Sequence, residues 1–249
     1  MKKFGLIGYP LGHSFSKKFY QEKFEQENIT GVHYDLYPLE DISTFPTLYE
    51  RDPEFRGFNV TIPHKRNVMR FLNEFSPEAA EINAVNCIQI RWQATKPYLK
   101  GFNTDAFGFE HSLRPLLTQN HTQALVFGNG GAAQAVFYIL RKLGISFKIV
   151  SRSHHNGDLT YPELTKDMIA SHTLLINCSP VGTFPKVEEA PEIPYEGIGA
   201  EHLLYDLIYN PEETTFLKRG KERGATTKNG HEMLLLQAEK NWEIWNQEN

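Results

Sequence analysis

The stretch Ala124-Leu125-Val126-Phe127-Gly128-Asn129-Gly130-Gly131-Ala132-Ala133 decides the fold. Its four leading apolar residues read as a buried strand, the glycine run as a tight turn, and the segment from Gly131 to Leu143 as a helix. Strand, glycine turn and helix in direct succession form the unit that holds a pyrophosphate on backbone N–H groups at a helix N-terminus. Glycine clusters also mark ordinary turns, but the flanking strand and helix supply the context that the phosphate reading needs. Gly128, Asn129, Gly130, Gly131 and Ala132 are therefore candidate cofactor ligands. Ala133 is small enough for the helix to pack closely on its sheet.

The next strand, Phe147–Arg152, indicates which dinucleotide. A site for NAD ends this strand with an Asp or Glu that bonds the ribose 2′-OH. Here the strand ends Val150-Ser151-Arg152-Ser153, without a carboxylate. A guanidinium with flanking hydroxyls suits a 2′-phosphate, because its N–H fork matches phosphate oxygens. Ser151, Arg152 and Ser153 join the candidate ligands, and NADP is the expected cofactor. An arginine that only solvates a strand end is the plainer alternative; position and missing acid together favour NADP.

Outward from this unit, strands alternate with helices in both directions, the pattern of an α/β protein with mainly parallel sheets. Upstream, strands are expected at Lys3–Gly8, Val32–Pro38, Gly57–Val60, Cys87–Arg91 and Tyr98–Phe102. A helix carrying Phe15, Phe19 and Phe24 on its apolar face lies between the first two. The chain changes register near Asp105, with a helix from Ala106 to Leu117 and a polar stretch before Ala124. Downstream, strands are expected at Thr173–Cys178 and Leu203–Leu207, and Val187–Gly199, rich in Glu, Pro and Gly, reads as a surface loop. The last helix, Gly230 to Trp245, carries Met233, Leu234, Ala238, Trp242 and Trp245 as packing residues.

Bulk properties narrow the function. The 249 residues suffice for one large core or two modest ones. With 40% hydrophobic and 22% charged residues the composition is that of an ordinary globular protein. A net charge of -4 argues against a nucleic-acid binder, and no apolar run reaches bilayer length. The N-terminus reads as a first strand and not a signal segment, since Gly8, Pro10 and Gly12 interrupt it. Cys87 and Cys178 form neither a disulfide framework nor a metal-ligand spacing, and a reducing cytoplasm fits them. No metal site is expected.

The first half holds polar clusters that packing does not call for. Ser14 and Ser16 follow a turn at the mouth of a helix, where two hydroxyls beside helix N–H groups make a carboxylate cradle. A plain N-cap would use only one. Asn59-Val60-Thr61-Ile62-Pro63-His64-Lys65 places a lysine just past a strand, at an apparent helix start that disfavours a cation. A solvated lysine is the bland alternative. His64 reads as structural or surface. Asn83-Ala84-Val85-Asn86 and Gly101-Phe102-Asn103-Thr104-Asp105 leave short amides and a carboxylate at strand termini, where α/β sites gather.

Taken together, several separated segments resemble the shikimate dehydrogenase family in order and spacing. They are Gly8-Tyr9-Pro10-Leu11-Gly12-His13-Ser14-Phe15-Ser16, Asn59–Lys65, Ile82–Asn86, Gly101–Asp105 and the loop from Gly128. Asp206-Leu207-Ile208-Tyr209-Asn210-Pro211 and Gly230 with Met233, Leu234 and Gln237 complete the set. The resemblance spans almost the whole chain. It implies a substrate-binding and catalytic domain over residues 1–105, an NADP-binding Rossmann domain over 106–229, and a C-terminal helix over 230–249 that returns to the substrate domain. It implies that Ser14 and Ser16 hold a shikimate carboxylate while Thr61, Asn86, Tyr209 and Gln237 line the ring. Lys65 and Asp105 would be catalytic, and Leu207 and Gly230 would stand near the nicotinamide.

The activity so implied is the reversible NADP-dependent reduction of 3-dehydroshikimate to shikimate, a step of aromatic amino-acid biosynthesis. A cytoplasmic monomer or homodimer is expected. Oxidising a secondary alcohol removes a hydride, which the nicotinamide takes, and a proton, which a side chain such as Lys65 must carry.

Three departures from the family pattern stand out. Lys17 replaces a proline after the second serine, and Glu232 replaces a glycine near the end. In the phosphate-binding segment His154-His155-Asn156 stands where a second arginine is usual; protonated His154 and His155 are candidates to supply that charge. Two other functions fit the same residues: a dehydrogenase of quinate and shikimate with relaxed cofactor use, and a non-catalytic NADP-sensing protein. Lys65 and Asp105 together argue against the sensor.

Overall fold

The computed structural model describes residues 1–12 and 14–247. The chain forms two compact units, Met1–Thr104 with Gln237–Asn249, and Asp105–Leu236.

The first unit contains β1 (Lys2–Gly8), α1 (Phe15–Gln26), β2 (Val32–Pro38), α2 (Pro46–Tyr49), β3 (Phe55–Val60), β4 (Glu74–Phe75), α3 (Pro77–Ile82), β5 (Cys87–Gln93) and β6 (Lys96–Phe102). Its six strands pair in the order β2-β1-β3-β5-β6-β4. The apolar run Phe4–Ile7 makes β1 a buried strand with parallel neighbours on both sides. β3, β5 and β6 pair antiparallel. The aromatic face of α1 centres on fully buried Tyr20, with Phe15, Phe19 and Phe24 partly buried around it. That face packs against Phe4, Tyr34 and, from the chain's end, Ala238, Ile244 and Trp245.

The second unit contains α4 (Thr104–Leu113), β7 (Gln123–Phe127), α5 (Gly131–Lys142), β8 (Ser146–Ser151), β9 (Leu159–Thr160), α6 (Lys166–Ser171), β10 (Leu174–Asn177), β11 (Leu203–Asp206), α7 (Thr215–Lys221), β12 (Thr226–Lys228) and the start of α8 (His231–Asn246). All six strands run parallel, in the order β12-β11-β10-β7-β8-β9. This is the doubly wound dinucleotide-binding order, and strand progression reverses between β7 and β10. A ligand crevice is expected beyond the carboxyl ends of those two strands. The Gly128 turn and the Asn177–Val181 segment leave them there.

Three expectations are corrected. The helix read over Ala106–Leu117 ends as α-helix at Leu113 and continues as a 3-10 turn over Arg114–Leu116, because Pro115 has no N–H to continue the ladder. Val187–Gly199 is not simply a surface loop. Pro191, Ile193, Tyr195 and Ile198 are buried, and the last three join the core with Phe216 and Leu217. Its Pro and Glu content hid a period-two apolar pattern, Pro191-Ile193-Tyr195. The last helix opens at His231 and changes unit within itself, so the compact first unit takes up the chain at Gln237 and not at 230. Among the described residues, no helix is long and apolar enough to cross a membrane.

Candidate active site

In the first unit, the exits of β1 and β3 lie side by side because the strands are parallel neighbours. Thr61 N donates to Ile7 O at 2.9 Å and Tyr9 N to Ile62 O at 3.0 Å, so the two exit loops are joined backbone to backbone. One carries Ser14 and Ser16; the other carries Thr61 and Lys65. His13, part of the first motif, lies outside the described residues. Ser14 caps α1, its Oγ accepting from Lys17 N at 3.4 Å. Ser16 bonds the hydroxyl of buried Tyr34, which in turn donates to Asn59 Oδ1 at 2.8 Å. Burial pushes the Tyr34 phenol well above its ordinary range, so it stays a neutral hydroxyl.

Lys65 does not stand at a helix start. It occupies a turn two residues before a short 3-10 helix, Asn67–Phe71, so the helix-dipole argument for it lapses. What fixes its backbone is Val85 N, which donates to Lys65 O at 2.8 Å. His64 is structural, as expected: it is buried, with Nε2 2.6 Å from Leu39 O.

Asn86 and Gln237, expected to share the ring, are joined by a buried polar chain. Thr104 N donates to Asn86 Oδ1 at 2.7 Å, and Asn86 Nδ2 donates to Thr104 Oγ1 at 3.0 Å. Thr104 Oγ1 donates to Asn241 Oδ1 at 2.6 Å, and Asn241 Nδ2 to Gln237 Oε1 at 3.1 Å. Thr104 and Asn241 went unnoticed in the sequence; Asn241 could have been found, since it stands one turn beyond Gln237 on the same helix face. Asp105 follows Thr104 as the second residue of α4 and falls in the second unit.

In the second unit, Gly128 takes φ +103°, and a Cβ there would lie 3.1 Å from Ser179 N. Glycine is thus required both by conformation and by the approach of the segment leaving β10. Gly130 and Gly131 differ: a Cβ at either would meet no protein atom within 4 Å, so internal packing does not demand glycine there. α5 starts at Gly131 without any side-chain cap. Bare N–H groups beside side-chain-free residues fit a dinucleotide pyrophosphate. Asn129 ties this turn to the turn that follows β8, donating to Asn156 O at 2.9 Å while accepting from Gln134 Nε2 at 2.9 Å.

A cavity of about 1030 Å³ opens here, lined by Gly128, Asn129, Gly130, Ser151, Arg152 and Asn156 among others. Gly131, Ala132 and Ser153 do not line it. The buried Ser151 hydroxyl is engaged within its own turn, donating to Ser153 O at 2.5 Å and accepting from Ser153 N at 3.2 Å. That turn leaves Arg152 exposed. His154 does not offer an unanswered charge, since its Nε2 stands 3.1 Å from Glu163 Oε2.

Below the cavity lies a network that sequence reasoning missed. Asn177 and Asp206 are register partners ending β10 and β11. Asn177 Nδ2 donates to Asp206 Oδ1 at 3.1 Å, while its Oδ1 accepts from Ser179 N and Oγ at 3.0 and 2.7 Å. Asp206 also accepts from Thr214 Oγ1 at 2.7 Å and Ile208 N at 3.1 Å. Burial raises its carboxyl to about 6 against the pull of these donors. Ile208 O accepts from Gly230 N at 3.0 Å, and a Cβ on Gly230 would fall 2.1 Å from Leu207 O. Leu207 and Gly230 are therefore in contact, which only glycine permits. Tyr209, two residues on, is 40% exposed.

Comparison with known proteins gives this site its context. The model of the shikimate dehydrogenase substrate binding domain matches residues 6–88. A shikimate dehydrogenase (NADP(+)) of Carboxydothermus hydrogenoformans is 35% identical over 97% of this chain and 90% of its own. Among solved structures, a shikimate 5-dehydrogenase of Thermus thermophilus in complex with NADP(H) and shikimate is 29% identical, with TM-score 0.83 over 99% of this chain and 94% of that one. Another, from Listeria monocytogenes in complex with shikimate and NAD, is 25% identical with TM-score 0.87, covering all of this chain and 92% of that one. With similarity of this extent running through both units, the chain belongs to the shikimate dehydrogenase family.

Proposed function

We propose that this protein catalyses the reversible NADP-dependent reduction of 3-dehydroshikimate to shikimate. The observation that carries this is identity of 35% over 97% of the chain with an NADP-dependent shikimate dehydrogenase, so that both sheets are matched. The protein is an oxidoreductase acting on a CH–OH group, with NADP as its cofactor. NADP supplies hydride donation and acceptance when bound.

The residues have the following tasks in this reading. The first unit binds the substrate and the second the cofactor. Ser14 and Ser16 hold the substrate carboxylate, and Thr61, Asn86, Tyr209 and Gln237 orient the ring and its hydroxyls. The buried chain from Asn86 to Gln237 supports this, because it fixes both amide groups before substrate arrives. Lys65 delivers a proton to the carbonyl oxygen during reduction and removes it from the hydroxyl during oxidation, and Asp105 orients the ammonium. The Gly128–Ala132 turn takes the pyrophosphate, Arg152 the 2′-phosphate, and Leu207 with Gly230 the nicotinamide end. The enzyme works in the cytoplasm, a reading supported by two free cysteines.

Asn156 offers no charge to the 2′-phosphate, so NADP is preferred over NAD by one charge-assisted contact, on the order of ten- to a hundredfold in affinity. The test is reduced-cofactor absorbance with shikimate or quinate and with NADP or NAD. Turnover of shikimate with NADP is expected. Equal turnover of quinate would point to the broader dehydrogenase, and cofactor binding without turnover of either acid would point to a sensor.

A further inference from the structure

The cavity extends past the residues assigned above, to a segment following β10 and to α7. Glu189, Glu192 and Arg219 line that far part together with Ala190 and Pro191. None of these residues belongs to the glycine turn or to the end of β8. Arg219 is held in place from behind. Its Cζ lies 4.9 Å from the ring centroid of buried Tyr195, whose hydroxyl donates to Pro191 O at 2.9 Å. A guanidinium laid against an aromatic face keeps in-plane N–H groups for a further partner. The remaining walls include Tyr161, Pro180, Val181 and Pro191, flat or apolar surfaces suited to a heteroaromatic ring.

The charges decide what this end receives. Glu189 is answered by Lys186 at 3.1 Å, so Glu192 and Arg219 remain, a balanced pair that gives a phosphate no net attraction. A purine edge presents donors and acceptors without net charge, and a mixed set of carboxylate and guanidinium complements it. Adenine offers ring-nitrogen acceptors to Arg219 and an exocyclic amine to a glutamate. We propose that Arg219, with Glu192, reads the adenine base of the cofactor, making it a specificity residue separate from Arg152. The inference rests on the NADP-binding role of the second unit.

The replacement of the amine by a carbonyl in hypoxanthine turns a donor into an acceptor and puts a proton on the adjacent ring nitrogen. Both changes oppose Arg219 and Glu192 as assigned. The experiment measures affinity of the full-length protein for NADP, its hypoxanthine analogue and NAD, in wild type, Arg219→Gln and Glu192→Gln. Wild type should bind NADP about tenfold or more tightly than the hypoxanthine analogue, one unpaired hydrogen-bonding group corresponding to roughly that factor. Arg219→Gln should reduce that preference to about threefold or less while leaving the ratio of NADP to NAD unchanged. Glu192→Gln should weaken it in the same sense. Equal binding of both bases by wild type, or a base preference that survives Arg219→Gln, overturns the proposal. A change in the NADP to NAD ratio instead would assign Arg219 to the 2′-phosphate and also overturn it. Absence of binding by every dinucleotide would overturn the cofactor reading together with the proposal. Arg219 is exposed, and an unchanged melting temperature confirms that its variant is folded.

Discussion

Lys65 leaves β3 in a turn whose backbone is pinned by Val85 N, one residue before Asn86. Its backbone is therefore held by a hydrogen bond between two loops and not by a helix end. The Ser14 and Ser16 side chains have structural tasks of their own, since one caps α1 and the other bonds Tyr34. A serine variant would therefore mix loss of a ligand contact with loss of a local one. Lys65→Ala should lower kcat by about 10²–10⁴-fold, the usual contribution of a positioned acid or base. KM for shikimate should change far less. A variant that keeps kcat and loses shikimate affinity would make Lys65 a binding residue only. His154 illustrates the opposite case. From sequence it could stand in for the missing arginine, but its partner Glu163 lies nine residues on, in a 3-10 turn, too far along the chain for the pairing to be read.

At the scale of elements, β10 and β11 end in a paired amide and acid buried under the cofactor segment. Asp206 receives three donors, from Asn177, Thr214 and Ile208, and Thr214 is also the N-cap of α7. Asp206→Ala orphans the Thr214 hydroxyl and Ile208 N and leaves Asn177 Nδ2 only its bond to Val181 O, and should cost several kcal/mol, at about 1–3 kcal/mol for each buried group left unpaired. The wild-type carboxyl, raised to about 6, binds its proton more tightly folded than unfolded. Its contribution to stability is therefore fully present below about pH 4 and declines as pH rises through about 6, by roughly 3 kcal/mol in all. Urea titrations from pH 4 to 7.5 should show this as a slope that Asp206→Asn lacks; identical slopes would mean the carboxyl titrates normally. The network was hidden because Asn177 and Asp206 are far apart in sequence and meet only through strand register. The β7–α5–β8 unit was legible because its periods are strong and its turn is glycine. The two- and three-residue strands β4, β9 and β12 carry too few residues to show any period.

At the scale of the whole molecule, the chain builds its first sheet, then its second, and spends its last residues completing the first. Residues Gln237–Asn249 belong to the first unit although the second intervenes in sequence. Trp245 is the anchor of that return. It is buried, stacks on Phe4 with centroids 4.8 Å apart, and donates from Nε1 to Ile88 O at 2.9 Å. Ile244 O receives Gln89 Nε2 at 2.5 Å, and Tyr20 donates to Ala238 O at 2.9 Å, so the helix is also fastened through its backbone. The sequence shows Trp245 as an apolar-face residue, but which sheet it covers depends on contacts across more than a hundred residues. Trp245→Ala removes a large ring from a packed core and leaves Ile88 O without its donor, at a cost of about 3–5 kcal/mol. That cost should fall on the first unit. Urea unfolding followed by circular dichroism should show an earlier transition in the variant, and shikimate affinity should weaken as that transition begins. Binding of 2′,5′-ADP, which needs only residues of the second unit, should persist at urea concentrations where shikimate binding is already lost. Loss of both ligands in one concerted transition would mean that the two sheets stand or fall together, and that the returning helix stabilises the protein as a single cooperative body.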